Sequence, residues 1–315
     1  MCIFALDMIL NIFFLIIGIA LVLWGADKFT DGASGIARKW HVSELVIGLT
    51  VVAMGTSLPE VMVSLFSSLR GSSDMSVGNI VGSNIFNTLT IIGASALMMP
   101  VVIQKGVLYR DIPLSFVFAL LLFVLSYDGN ITLFDAIFLL ILFCGFLYYT
   151  YYIGTHGQKT SDEVREDTSI WKLLFLLLIG IVCLVSGGQL LVNNAADLAR
   201  LWGVRESVIG LTILAAGTSL PELATSMVAA KKGSAGLAMG NAIGSNVFNV
   251  AFVLGTCSAI RPMVVQDISM VDWAVFIFSN VLLWIFACSK RSLSKLEGLV
   301  LVLSYIAYLT YLVLA

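Results

Sequence analysis

The sequence predicts an all-α integral membrane protein of ten transmembrane helices, arranged as two inverted five-helix repeats. Three observations carry that expectation. Of 315 residues, 59% are hydrophobic and only 17 Lys and Arg and 19 Asp and Glu are charged, less than half the roughly 25% charged fraction of soluble domains. Apolar runs of about 20 residues, the length that crosses a bilayer, recur ten times along the chain. The chain also superposes on itself when shifted by 162 residues. So few charges cannot coat a globule of this size in water, so the lipid bilayer is the solvent for most of its surface. The net charge of −2 gives no basic field for nucleic acid. Cys2, Cys144, Cys183, Cys257 and Cys288 stand singly in apolar stretches, which suggests neither a disulfide framework nor a zinc site.

The runs fall at 8–26, 43–69, 75–99, 111–127, 131–153, 171–191, 205–230, 236–260, 270–288 and 293–314. No Lys or Arg precedes the first, and no small-residue cleavage site followed by a soluble domain comes after it. It therefore reads as a retained span rather than a signal peptide. The long polar stretch, 154–169 (GTHGQKTSDEVREDTS), reads as a solvated linker between a first repeat at 1–153 and a second at 170–315. With the N-terminus outside, thirteen of the seventeen Lys and Arg fall in cytoplasmic loops, leaving Arg70, Arg200, Arg205 and Arg261 outside. That positive-inside bias places both termini outside the cell and the linker in the cytoplasm, in a multi-pass protein of the cell (inner) membrane.

The self-match is densest where GLTVVAMGTSLPE (48–60) meets GLTILAAGTSLPE (210–222) and VGNIVGSNIFN (77–87) meets MGNAIGSNVFN (239–249), within segments 48–93 and 210–255. Across 41–93 against 203–255, 25 of 53 positions are identical. Five helices per half is an odd number, so the halves enter the membrane from opposite sides. Inverted repeats of this kind characterise secondary transporters, whose sites lie near the midplane where helices break.

Each of spans 2 and 7 carries one ionisable residue near its middle, Glu60 and Glu222. A lone carboxylate there costs about 2.5–3.5 kcal/mol on insertion scales and marks a functional site by default. Pro59 and Pro221, lacking an N–H, free the carbonyls of Gly55 and Gly217 four residues earlier. Carbonyls around Ala53 and Ala215 are expected to turn inward at the same break. Thr56, Ser57, Thr218 and Ser219 add hydroxyls. Spans 3 and 8 add Ser83, Asn87, Ser245 and Asn249, with Asn79, Asn84, Asn241 and Asn246 read as interhelical hydrogen-bonding groups and the GxxxG glycines as packing steps. The sum is an all-oxygen cage of formal charge −2. Hard cations want such a cage: calcium takes six to eight oxygens at about 2.3–2.6 Å, and soft metals prefer nitrogen or sulfur. Sodium has nearly the same ionic radius, so one cavity suits either load.

These residues resemble the sodium/calcium exchanger family of the cation/calcium antiporter superfamily, in its compact prokaryotic form. The resemblance rests on GTSLPE at 55–60 and 217–222 and on GNIVGSNIFN and GNAIGSNVFN at 78–87 and 240–249. It implies a cluster of four cation sites built from Glu60, Glu222, Thr56, Thr218, Ser57, Ser219, the carbonyls of Ala53 and Ala215, Ser83, Ser245, Asn87 and Asn249. It also implies calcium exchanged for sodium without a cofactor, a monomer sufficient for transport, and spans 1 and 6 sliding as a pair to alternate access. Some relatives, including potassium-dependent exchangers, carry Asp where this chain has Asn249, so potassium co-transport is not expected. Two other readings stay open on the residues alone. A proton-coupled calcium antiporter would use the same carboxylates, and a cation channel would use them as an acidic ring. An intramembrane protease is disfavoured, since His41 and His156 lie in loops and no HExxH occurs.

Overall fold

The computed structural model describes residues 2–156, 168–203 and 215–314. Helix α1 (Cys2–Lys39) and helix α7 (Ile170–Leu201) are far longer than the expected spans 8–26 and 171–191. The apolar run of α1 stops before Asp27, but the helix does not. Asp27 and Asp31 are paired on the helix surface: Lys232 Nζ lies 2.6 Å from Asp27 Oδ1 and 2.5 Å from Asp31 Oδ1. The charges therefore extend the helix instead of ending it. Helices α1 and α7 pack antiparallel, backbone on backbone. A Cβ at Gly18 would stand 2.9 Å from the Gly187 carbonyl oxygen, and one at Gly25 would stand 2.9 Å from that of Gly180. These glycines recur every seven residues, which keeps one small-residue seam facing the partner helix.

The expected span 43–69 is two helices, α2 (Glu44–Thr56) and α3 (Leu58–Leu69), bent by 48°. Ser57, with φ −80° and ψ 10°, leaves the helix between them. Pro59 sits in the first turn of α3, where its missing N–H has no partner to lose. What the sequence read as a kink is a full break. In the second repeat, α8 (Ala215–Gly217) and α9 (Leu220–Lys231) flank Ser219, whose φ −89° and ψ 9° repeat the break. The part of the expected span 205–230 that precedes Ala215 lies outside the described residues.

Helices α4 (Ser73–Met98) and α10 (Ala235–Ile260) follow the breaks. Each widens into a π-helical stretch, Asn87–Ile91 in α4 and Asn249–Leu254 in α10, starting at matched asparagines. Such stretches are rare and concentrate at functional sites. Helices α5 (Val107–Leu125), α6 (Leu133–His156), α11 (Met270–Lys290) and α12 (Lys295–Leu314) complete the bundle. Helix α6 runs three residues into the stretch read as linker, and residues 157–167 of that stretch lie outside the described residues. Among the described residues eight helices are long and apolar enough to span a membrane, nine with α2 and α3 taken together.

Four two-residue strands reveal how the halves are related: β1 (Val101–Val102), β2 (Asn130–Ile131), β3 (Met263–Val264) and β4 (Ser292–Leu293). One spanning helix, α5, separates β1 from β2, and one, α11, separates β3 from β4. Members of each of those pairs therefore lie at opposite ends of the bundle. By the 162-residue shift β1 corresponds to β3, yet β1 pairs antiparallel with β4 (Val101 opposite Leu293) and β2 with β3 (Ile131 opposite Met263). Equivalent strands thus sit at opposite ends, the arrangement of an inverted repeat.

The buried apolar residues form two main clusters. The larger gathers side chains of α4, α5, α6, α10, α11 and α12, including Ile85, Leu122, Val250 and Phe276. The smaller joins α1 and α7 through Ala26, Phe29, Ala33 and Leu184 to Val52 of α2 and Ala229 of α9. The broken helices border both.

Candidate cation site

At the first break, the end of α2 delivers Thr56, the turn delivers Ser57 and the first turn of α3 delivers Glu60, a position where the helix dipole favours a carboxylate. Ser219 and Glu222 arrive the same way on α9. Helices α4 and α10 bring Ser83 and Ser245 to the same place, one turn before their π-helical stretches begin at Asn87 and Asn249. Thr56, Ser57, Glu60, Ser219, Glu222, Ser245 and Asn249 have no exposed surface, and Ser83 and Asn87 almost none.

The hydrogen bonds cross between the repeats. Ser219 Oγ donates to Glu60 Oε1 at 2.8 Å, and Ser57 Oγ donates to Glu222 Oε1 at 2.7 Å. Each carboxylate is thus held by the turn of the other half, as a two-fold axis through the site requires. Ser245 Oγ lies 3.0 Å from Ser57 Oγ, and Ser83 Oγ lies 3.5 Å from Glu60 Oε1. Thr56 Oγ1 donates to the Val52 carbonyl at 3.1 Å and lies 3.0 Å from Asn241 Oδ1. The Ala53 carbonyl stays in a regular helical turn, accepting the Ser57 N–H at 3.1 Å, rather than unwinding. Ala215 opens the first described turn of α8.

The second oxygen of each carboxylate is buried and has no partner. So are Asn87 Oδ1, Asn249 Oδ1 and Thr218 Oγ1. A buried polar atom left unmatched costs about 1–3 kcal/mol, so the matched unpartnered oxygens of Glu60 with Glu222 and of Asn87 with Asn249 need a reason. Two carboxylates with neutral oxygens around them supply one: the donor set has no nitrogen or sulfur and suits a hard cation. No group of three or more His, Cys, Asp or Glu gathers among the described residues, so none of them adds a third carboxylate to Glu60 and Glu222.

Several residues beyond the expected set brace it. Asn79 Nδ2 donates to Ser64 Oγ at 3.0 Å and to the Glu60 carbonyl at 3.4 Å. Asn241 Nδ2 does the same with Ser226 Oγ at 2.9 Å and the Glu222 carbonyl at 3.3 Å. These are the interhelical bonds expected of Asn79 and Asn241, and they tie α3 to α4 and α9 to α10 beside each glutamate. Ser64 and Ser226 escaped the sequence reading. Their only signal was that both repeats keep Ser four residues after the glutamate.

The sodium/calcium exchanger protein family matches residues 10–152 and 172–314. The chain belongs to this family. Among its relatives, the sodium/calcium exchanger MaX1 of Methanosarcina acetivorans is 32% identical over 96% of this chain and 98% of its own length. The inner membrane protein YrbG of Escherichia coli is 35% identical over 90% of each chain. The solved structure of the sodium-calcium exchanger NCX_Mj, soaked with 2.5 mM Na+ and 0.1 mM Ca2+, matches with a TM-score of 0.84 at 33% identity, covering 96% of this chain and 98% of that one. The compact exchanger fold thus accounts for nearly all of the chain.

Proposed function

We propose that this chain is a secondary antiporter that exchanges calcium for sodium across the cell membrane by alternating access. The observation that carries the reading is the set of buried, unpartnered oxygens on Glu60, Glu222, Asn87, Asn249 and Thr218. The hydroxyls of Thr56, Ser57, Ser219, Ser83 and Ser245 and the carbonyls of Ala53 and Ala215 complete the proposed ligand set. Calcium cancels the formal charge of the two glutamates, and sodium ions do so in its place. An empty site holding two unpaired carboxylates is costly to move through a low-dielectric barrier. Loaded states therefore cross readily and the empty one does not, which gives exchange rather than leak. Helices α1 and α7 move as a unit in this reading, because their backbones interlock with each other. Both termini lie outside the cell and the linker inside, and no cofactor takes part.

Purified protein in proteoliposomes, loaded with sodium and diluted into sodium-free buffer at fixed pH, should accumulate labelled calcium. Accumulation should collapse when choline replaces the internal sodium. Equal uptake driven by a pH gradient without sodium would overturn sodium coupling in favour of protons. Flux orders of magnitude above a transporter's turnover would mark a channel.

A further inference from the structure

Asn87 and Asn249 both leave Oδ1 buried and unpartnered, and in the function proposed above these oxygens face the cation, whereas an amide turned the other way would present its NH2 and repel it. The groups behind the two amides explain why they do not turn. Thr88 Oγ1 donates to the Asn84 carbonyl at 2.9 Å. A carbonyl only accepts, so this bond uses the single hydroxyl proton. Thr88 therefore shows a lone pair to Asn246, which must answer with an N–H: Asn246 Nδ2 donates to Thr88 Oγ1 at 2.9 Å. Asn246 Oδ1 then faces Asn87, whose Nδ2 donates to it at 3.1 Å. The Asn87 oxygen is left without a partner. On the other side Asn84 Nδ2 donates to the Asn246 carbonyl at 3.1 Å, so Asn84 Oδ1 accepts from Asn249 Nδ2 at 3.1 Å. That relay too is anchored on a backbone carbonyl.

We propose that Thr88 with Asn246, and Asn84, are positioning residues that lock the carboxamides of Asn87 and Asn249 with oxygen toward the cation. The inference rests on the reading of Asn87 and Asn249 as cation ligands. The amide that holds each carboxamide comes from the opposite repeat, but the two locks are not alike. The repeat mate of Thr88 is Val250, and on that side a main-chain carbonyl does the work of the threonine hydroxyl. A side-chain substitution therefore releases the Asn87 lock selectively. Thr88→Val is nearly isosteric and places at 88 the residue that the second repeat already buries at 250.

The test measures calcium KM and maximal rate of sodium-driven uptake for Thr88→Val, Thr88→Ser, Asn87→Ala and the double variant Thr88→Val/Asn87→Ala. Thr88→Val should raise the calcium KM about three- to tenfold, the effect of one hydrogen bond on a competent population, with the maximal rate within about twofold. Thr88→Ser should restore it. Asn87→Ala should raise KM at least as far, and the double variant should be no worse than Asn87→Ala, since nothing remains to be oriented. Thr88→Ala, which also lacks the hydroxyl, carries the same expectation should Thr88→Val fail to fold. A KM unchanged by Thr88→Val while Asn87→Ala raises it, or full additivity in the double variant, would overturn the lock. A KM unchanged by Asn87→Ala would instead overturn the ligand reading on which the lock depends.

Discussion

Glu60→Gln and Glu222→Gln are each expected to lower sodium-driven calcium uptake by about 30-fold or more, in proteoliposomes assayed at saturating sodium. Glutamine preserves the volume and one acceptor oxygen, so Ser219 and Ser57 keep the bonds they make to Oε1. What disappears is one of two negative charges in a fully buried site. A calcium ion bound there would keep an uncompensated positive charge. Removing one partner of a desolvated charge pair costs about 2–5 kcal/mol, or roughly 30- to several-thousand-fold. The two substitutions should be about equally severe, because the glutamates occupy matched turns and are held by matched serines. A variant retaining more than a third of the wild-type uptake would show that its carboxylate is not a calcium ligand.

Gly240→Val should prevent recovery of folded protein. Helix α10 crosses α2 so closely that a Cβ at Gly240 would lie 2.6 Å from the Leu45 carbonyl oxygen and 2.9 Å from the Leu49 nitrogen. At Gly244 it would lie 2.6 Å from the Leu49 carbonyl oxygen. These obstacles are backbone atoms of a buried helix and cannot swing aside as a side-chain end would. Overpacking with flexible neighbours costs about 1–3 kcal/mol. Here the helices themselves must part, and α10 carries Asn241, Ser245 and Asn249 away from the other half. Gly240→Ala should already lower the unfolding temperature in detergent by several degrees, and Gly240→Val should elute as aggregate. Gly145→Ala, at a lipid-facing helix position with nothing within 4 Å of the added carbon, should leave the unfolding temperature unchanged or slightly higher. Equal behaviour of the Gly240 and Gly145 variants would contradict the close crossing.

The site glutamates were legible because lipid makes a mid-span charge conspicuous, and the inverted halves because an odd number of spans separates near-identical turns. The strand pairs that display the inversion were not legible, since two residues such as Val101 and Val102 carry no periodicity. The length of α1 was hidden because Asp27 and Asp31 look like a loop until Lys232, some 200 residues away in sequence, is seen to pair with them. Proline at 59 announced a disturbance but not its size, because a kinked helix and a broken one share that residue. The roles of the asparagines were legible only in part. Asn87 and Asn246 are both polar residues in an apolar helix, and what separates the proposed ligand from its support is which atom of each amide has a partner. Thr88 gave no signal, its counterpart being a valine.

The most direct test of the central claim is to locate the cation. Anomalous diffraction from crystals soaked in strontium, a heavier hard divalent ion that stands in for calcium, should give its strongest peak between Glu60 and Glu222. Carboxylate oxygens of both residues should lie at about the 2.3–2.6 Å of calcium coordination or slightly beyond, and the peak should fade as sodium in the soak is raised. A strongest peak elsewhere, or one in contact with neither glutamate, would contradict the account.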